Sequence, residues 1–218
     1  MPTGLCSALI STAGQPSRLA RPTAALIDLL AAIPSIIYGV WGAYILAPKL
    51  TPIQHVLQHL SFIPIFKPLY DTKTVFDAAV VLTVMILPII TAIARDVFER
   101  TPTANKEAAL ALGATRWEMI RMAVLPYGRP GVISGAMLGL GRALGETIAV
   151  LIILGKTSKF DFSLFNGGET FASKIAGSLD GFGQHPGPYI AAGLTLFVLT
   201  FVVNGIARAI VNRRKDFR

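Results

Sequence analysis

Two oppositely charged residues interrupt an apolar segment of the chain. Arg142 and Glu146 lie four positions apart, a spacing that places two side chains on one face of an α-helix. A charge at the centre of a bilayer costs about 3 kcal/mol on insertion scales, so such residues tend to pair inside a helix bundle. The planar guanidinium of arginine suits a phosphate oxyanion. We therefore expect Arg142 to contact a passing anion and Glu146 to hold Arg142 and limit the anion's affinity.

A purely structural role for the pair is the alternative, in which the two charges neutralise each other and only fix helix packing. Other chemistry finds little support in the chain. The single Cys6 excludes an internal disulfide, and His55, His59 and His185 form no metal-ligand motif. A GxxxxGK[ST] nucleotide motif is also absent from the sequence. We expect no catalytic residue, metal or cofactor, and any ATP hydrolysis would be carried by another chain.

The elements that must position these residues are membrane helices. Hydrophobic residues make up 53% of the 218 positions and charged residues only 15%, whereas an ordinary soluble domain is about one quarter charged. Four blocks are long enough to cross a bilayer, and too little polar chain remains to cover them in a soluble protein. The fold predicted is an all-α polytopic membrane protein with spans at about 24–46, 75–94, 131–155 and 189–207.

Small residues mark one face of the third predicted span. Gly131, Gly135 and Gly139 recur every four residues, and such a face lets another helix approach closely. Pro34 and Pro88 lie in the first two spans, where a proline can kink the helix for packing or for gating.

The charge distribution predicts how the chain lies in the membrane. Most of the 20 Lys and Arg residues precede the first span, separate the second from the third, or follow the fourth. Positive loops stay on the cytoplasmic side. We expect a multi-pass protein of the bacterial plasma membrane with both termini in the cytoplasm, in contact with lipid and not with nucleic acid.

The central loop, at about 101–126, is predicted to be a rigid protrusion. Thr101 before Pro102 is typical of a helix start, Gly113 of a helix end, and Thr115 with Glu118 of a capping box. A helix, a glycine elbow and a second helix form a docking surface for a partner.

The same loop resembles the EAA motif of ABC importer permeases. Glu107, Ala108 and Ala109, then Gly113, then Leu125 and Pro126 fall at that motif's spacing, while Ala123 stands where a larger aliphatic residue is usual. The resemblance implies a helical bundle of the type I ABC importer transmembrane-domain kind. It also implies that the loop is the coupling helix, which seats in a groove on an ATPase subunit.

Three further segments resemble the permeases of the phosphate-specific importer, and the third is closest in form to the C-type subunit. They are LLAAIPSIIYGVWG (29–42), ILPIITAIARDVF (86–98) and GLGRALGETIAV (139–150). The resemblance implies roles for Arg142 and Glu146 in phosphate passage. It also implies three partners: an A-type permease, an ATPase dimer and an extracytoplasmic phosphate-binding protein.

The resemblance covers residues 18–218, with residues 1–17 as an atypical tail. Members of that family typically have six spans, so an incomplete domain lacking its front is expected here. Two alternatives stay open: a permease for another oxyanion or amino acid, and a truncated membrane subunit that does not transport.

Overall fold

The structure is a computed structural model that describes residues 17–59, 62, 64–66, 73–156, 162–178 and 186–212. Within these ranges all regular secondary structure is helical, as predicted. Residues 1–16 of the predicted tail lie outside them. The α-helices are α1 Ser17–Ala32, α2 Ser35–Trp41, α3 Ala47–Gln58, α4 Val75–Glu99, α5 Thr103–Ala111, α6 Arg116–Met119, α7 Leu125–Leu144, α8 Ile148–Ile153, α9 Phe171–Ala176 and α10 Gly187–Asn212. Short π-helical segments, Gly42–Leu46 and Ile120–Val124, join α2 to α3 and α6 to α7.

Among the described residues, two helices are long and apolar enough to cross a membrane by themselves. They are Val75–Glu99 and Gly187–Ala209, and the interrupted pair Ala24–Ala32 and Ser35–Gln58 qualifies if it counts as one span. The interruption falls at Ile33 and Pro34, and a proline disfavours helical backbone in the residue before it. The predicted number of four spans stays a prediction.

The third predicted span contains a break. Helix α7 ends at Leu144, residues 145–147 are not helical, and α8 starts at Ile148. The prediction that Arg142 and Glu146 share one helix face is therefore wrong. The i, i+4 rule needs uninterrupted helical backbone, and Glu146 lies in the break.

The chain divides into two compact units. Among the described residues, unit one contains 17–32, 86–142 and 202–212, and unit two contains 33–59, 62, 64–66, 73–85, 143–156, 162–178 and 186–201.

Unit one is built on close packing of α7 against α4. A Cβ on Gly131 would lie 2.5 Å from Cγ1 of Val97, and one on Gly135 would lie 3.0 Å from Cγ2 of Ile93. A Cβ on Gly128 would overlap the ring of Phe98. These glycines are therefore needed for the approach of the two helices, which confirms the predicted small-residue face.

An ion pair also ties α1 to α4 in unit one. Nη2 of Arg95 lies 3.2 Å from both carboxylate oxygens of Asp28. The Asp28 side chain is about half exposed, so the pair contributes modestly to stability and mainly fixes an orientation.

Unit two contains a buried polar network at the start of α4. Oδ1 of Asp77 accepts a hydrogen bond of 2.7 Å from Nε2 of Gln54, and Oδ2 accepts one of 2.8 Å from the Thr74 hydroxyl. Buried polar groups need such partners, so the network holds α3 against the first turn of α4.

Candidate functional site

The EAA residues lie on α5, at the surface of unit one. Glu107 and Ala108 are exposed, whereas Ala109 is half-buried and packs against the core beneath the helix. The helix begins at Thr103, with Pro102 before it, and the buried Thr101 hydroxyl has no hydrogen-bond partner among the described residues. The prediction that Thr101 caps this helix is wrong, because the chain turns into the helix one residue later.

Gly113 makes the predicted elbow after α5. Its φ is +84°, and it is the only described residue with a positive φ. The N–H of Ala114 donates to the carbonyl of Ala109, and the N–H of Gly113 donates to that of Leu110. These two bonds define a Schellman motif, which satisfies the last carbonyls of a helix. The prediction of a left-handed glycine cap is confirmed.

The predicted capping box of α6 is also present. Oε2 of Glu118 accepts hydrogen bonds of 2.8 Å from both the N–H and the hydroxyl of Thr115, and the Glu118 N–H donates back to Oγ1 of Thr115. The backbone N–H of Thr115, with its hydroxyl, lowers the pKa of the fully exposed Glu118 carboxyl below its usual value. The second short helix therefore has a locally fixed start.

A small apolar core packs the short helices on both sides of Gly113 against the end of α4. Leu125 and Ala109 pack against this core, whereas Pro126 is exposed. Of the motif residues, Glu107, Ala108 and Pro126 are therefore exposed, whereas Ala109 and Leu125 pack against the core beneath them. The buried members are Ala94, Phe98, Met119, Ile120 and Val124.

Large apolar side chains on the outside of this region were missed from the sequence. Leu112 is 88% exposed, Trp117 63% and Met122 66%. Large apolar side chains that stay exposed on a loop predicted to face water are candidates for contact with a partner. A tryptophan and two aliphatic side chains in a loop predicted to face water were the signal that could have revealed them.

Arg142 lies in the last turn of α7, in unit one. Its side chain is exposed, and no described residue makes a hydrogen bond or ion pair with the guanidinium.

Glu146 belongs to unit two and is only 8% exposed. Its Oε1 accepts a hydrogen bond of 3.3 Å from the backbone N–H of Ala149 in the first turn of α8. The structure therefore gives the carboxylate a backbone partner that the sequence did not suggest.

The sequence of the chain matches a protein family and several known proteins. Residues 1–216 match the family model described as the inner membrane component of binding-protein-dependent transport systems. The phosphate transport system permease protein PstC 2 of Mycobacterium tuberculosis is 54% identical over 96% of this chain and 67% of its own length. PstC of Mycobacterium leprae is 53% identical over 98% of this chain and 70% of its own length.

A solved structure supports the fold independently of close sequence similarity. The chain superimposes on a chain of the inward-facing MetNI methionine ABC transporter with a TM-score of 0.69 and 21% identity, covering 96% of this chain and 85% of the other. The predicted fold class, a type I ABC importer transmembrane domain, is confirmed.

Proposed function

The chain belongs to the family of inner membrane components of binding-protein-dependent transport systems, and we propose that it is a permease subunit of an ATP-driven importer of inorganic phosphate. It is a multi-pass inner membrane protein that would form half of the translocation pathway. The observation that carries the proposal is its identity of 54% and 53% to two phosphate transport permeases over nearly all of its own length. A phosphate dianion also suits the exposed guanidinium of Arg142.

A complete importer would need three kinds of partner around this chain: an A-type permease, a pair of ATPase subunits and an extracytoplasmic phosphate-binding protein. The family description, which names binding-protein-dependent transport, supports the last of these. The excess of Lys and Arg before the first predicted span, in the central loop and at the C-terminus favours an orientation with both termini and the elbow in the cytoplasm.

The elbow, residues 103–124, would be the docking surface for the ATPase. Glu107 and Ala108 are exposed on it, and so are the large apolar side chains of Leu112, Trp117 and Met122. Exposed apolar side chains together with a charged residue are typical of a protein interface.

Glu107→Ala should lower the amount of ATPase that co-purifies with the membrane complex several-fold without preventing membrane insertion. Asp96→Ala is the matched control, because Asp96 is an exposed acid in an exposed i, i+4 ion pair with Arg100, outside the elbow. Equal ATPase recovery from wild type and Glu107→Ala would remove the docking assignment.

Arg142 would contact phosphate directly during passage. Arg142→Lys keeps the positive charge but loses the planar fork of donors, so phosphate uptake should fall at least tenfold in a complex that still assembles and binds the ATPase. Arg129→Lys, on the same helix and also exposed, should retain uptake.

The measurement is uptake of labelled phosphate and of labelled sulfate by membrane vesicles that contain the assembled complex. Uptake of sulfate in place of phosphate would overturn the substrate assignment, and normal phosphate uptake by Arg142→Lys would overturn the contact.

A further inference from the structure

Helix α8 has six residues, far fewer than an isolated helix needs to be stable in water. Its stability must come from its surroundings in unit two. Ala149, Val150 and Ile153 are buried. A Cβ on Gly39 of α2 would lie 2.8 Å from Cα of Ala149, so the backbones of α2 and α8 are in direct contact.

Lys73 binds the C-terminal end of α8. Its Nζ donates a hydrogen bond of 3.2 Å to the carbonyl of Ile152, and its own carbonyl accepts one of 3.2 Å from the N–H of Gly155. The last carbonyls of a helix have no partner within it, and a lysine at this end also interacts favourably with the helix dipole.

The near end of α8 depends on Glu146. Thr147 stands at the N-cap position, but its hydroxyl donates to the carbonyl of Gly145 and makes no cap bond to the helix. The Glu146 carboxylate instead accepts the N–H of Ala149. A side-chain oxygen at the start of a helix satisfies one of the N–H groups that have no partner within the helix.

We propose that Glu146 is a positioning residue that supplies the hydrogen-bond acceptor for the first turn of α8. With Lys73 at the other end, it fixes α8 in unit two and so sets the course of residues 145–147, which begin three residues after Arg142 in the chain. The role requires a side-chain acceptor oxygen at residue 146 and does not require the negative charge of the glutamate. The inference rests on the proposed phosphate transport for its functional consequence, while the capping contact itself can be tested without transport.

The test compares Glu146→Gln with Glu146→Ala in the assembled importer. Glutamine keeps an acceptor oxygen and loses the charge, whereas alanine loses both. Hydrogen–deuterium exchange of the Ala149 amide should stay within about twofold of wild type for Glu146→Gln and become at least tenfold faster for Glu146→Ala. Phosphate uptake should remain above half of wild type for Glu146→Gln and fall at least tenfold for Glu146→Ala.

Lys73→Met tests the other end of α8. The variant loses the bond from Nζ to the carbonyl of Ile152 and keeps the backbone carbonyl that accepts from Gly155. It should speed the exchange of amides in the last turn of α8 and lower uptake several-fold, whereas Lys49→Met, which removes an exposed lysine of α3, should change neither. Unchanged exchange in the last turn of α8 in Lys73→Met would overturn the role of the Lys73 side chain.

Three outcomes would overturn the role of Glu146. Ala149 exchange in Glu146→Gln as fast as in Glu146→Ala would show that the acceptor does not protect α8. Protected exchange with lost uptake in Glu146→Gln would show that transport needs the charge. Normal uptake in Glu146→Ala would show that the contact is dispensable. A wild-type complex that carries no phosphate would instead defeat the proposed function, and the exchange measurements would still decide the contact.

Discussion

Two short helices in this chain, α6 and α8, each begin beside a glutamate, and the two are stabilised in different ways. Glu118 at α6 is fully exposed and bonds to Thr115, three residues away. Glu146 at α8 is buried, and the other end of its helix is held by Lys73, which lies 79 residues from Ile152 in sequence. The start of α6 follows from neighbours in sequence, whereas α8 follows from the packing of unit two. Substitutions at the two sites should therefore destabilise the protein in different ways.

The largest effect is expected where α8 touches another backbone. Gly39→Ala would bring a methyl group to 2.8 Å from Cα of Ala149, and main-chain atoms cannot move aside by changing a rotamer. Overpacking of this kind costs about 1–3 kcal/mol, so thermal unfolding of the purified complex should shift downward by several degrees.

Gly193→Ala is the matched control in the same unit. Its new methyl group would find one neighbour, Cδ1 of Ile175, at 3.9 Å, an ordinary van der Waals contact. A Gly39→Ala complex as stable as the Gly193→Ala complex would contradict direct backbone contact between α2 and α8.

A smaller effect is expected at Gly113 in the elbow. There a side chain is disfavoured by the backbone conformation and not by lack of space. Nothing lies within 4 Å of a Cβ at Gly113, but φ there is +84°. Gly113→Ala should cost about 1 kcal/mol from the left-handed backbone alone and reduce ATPase recovery.

Gly141→Ala separates conformation from crowding. Gly141 also has nothing within 4 Å but lies in α7 without a positive φ, so alanine there should be neutral or slightly stabilising. Equal effects at positions 113 and 141, measured by thermal unfolding and ATPase recovery, would exclude the Schellman motif as the source of the elbow's rigidity.

The smallest effect concerns pH. Hydrogen bonds from Thr115 lower the pKa of Glu118, so their stabilisation is complete above the pKa of an unfolded glutamate and is lost as pH falls through the lowered value. Exchange of the Thr115 amide, corrected for its intrinsic pH dependence, should become a few-fold less protected in acid. Glu118→Gln should show a flat profile, and a parallel loss of protection in that variant would point to another titrating group.

The sequence predicted the features that depend on neighbouring residues and missed those that depend on distant ones. Gly113 and the Thr115–Glu118 pair were predictable because each acts within a few residues, where turn and capping rules apply. The start of α5 was misplaced by assigning the cap to Thr101, a boundary error of the usual size. The break at 145–147 was missed because the apolar blocks on its two sides were joined into one span across Gly145, Glu146 and Thr147. The contacts of α8 with Gly39 and Lys73 were not predictable, because no local window around residue 146 contains those two residues.

The glycine seam of unit one fixes a register between two helices. The four glycines of α7 that face α4 are separated by three, four and four residues, a spacing that keeps them on one face of the helix. Their partners follow α4 in the opposite chain direction: Phe98 faces Gly128, Val97 faces Gly131, Ile93 faces Gly135, and Ile90 and Ile86 face Gly139. A single residue inserted between Gly131 and Gly135 would rotate every later glycine by about 100° and turn bulky side chains into the seam.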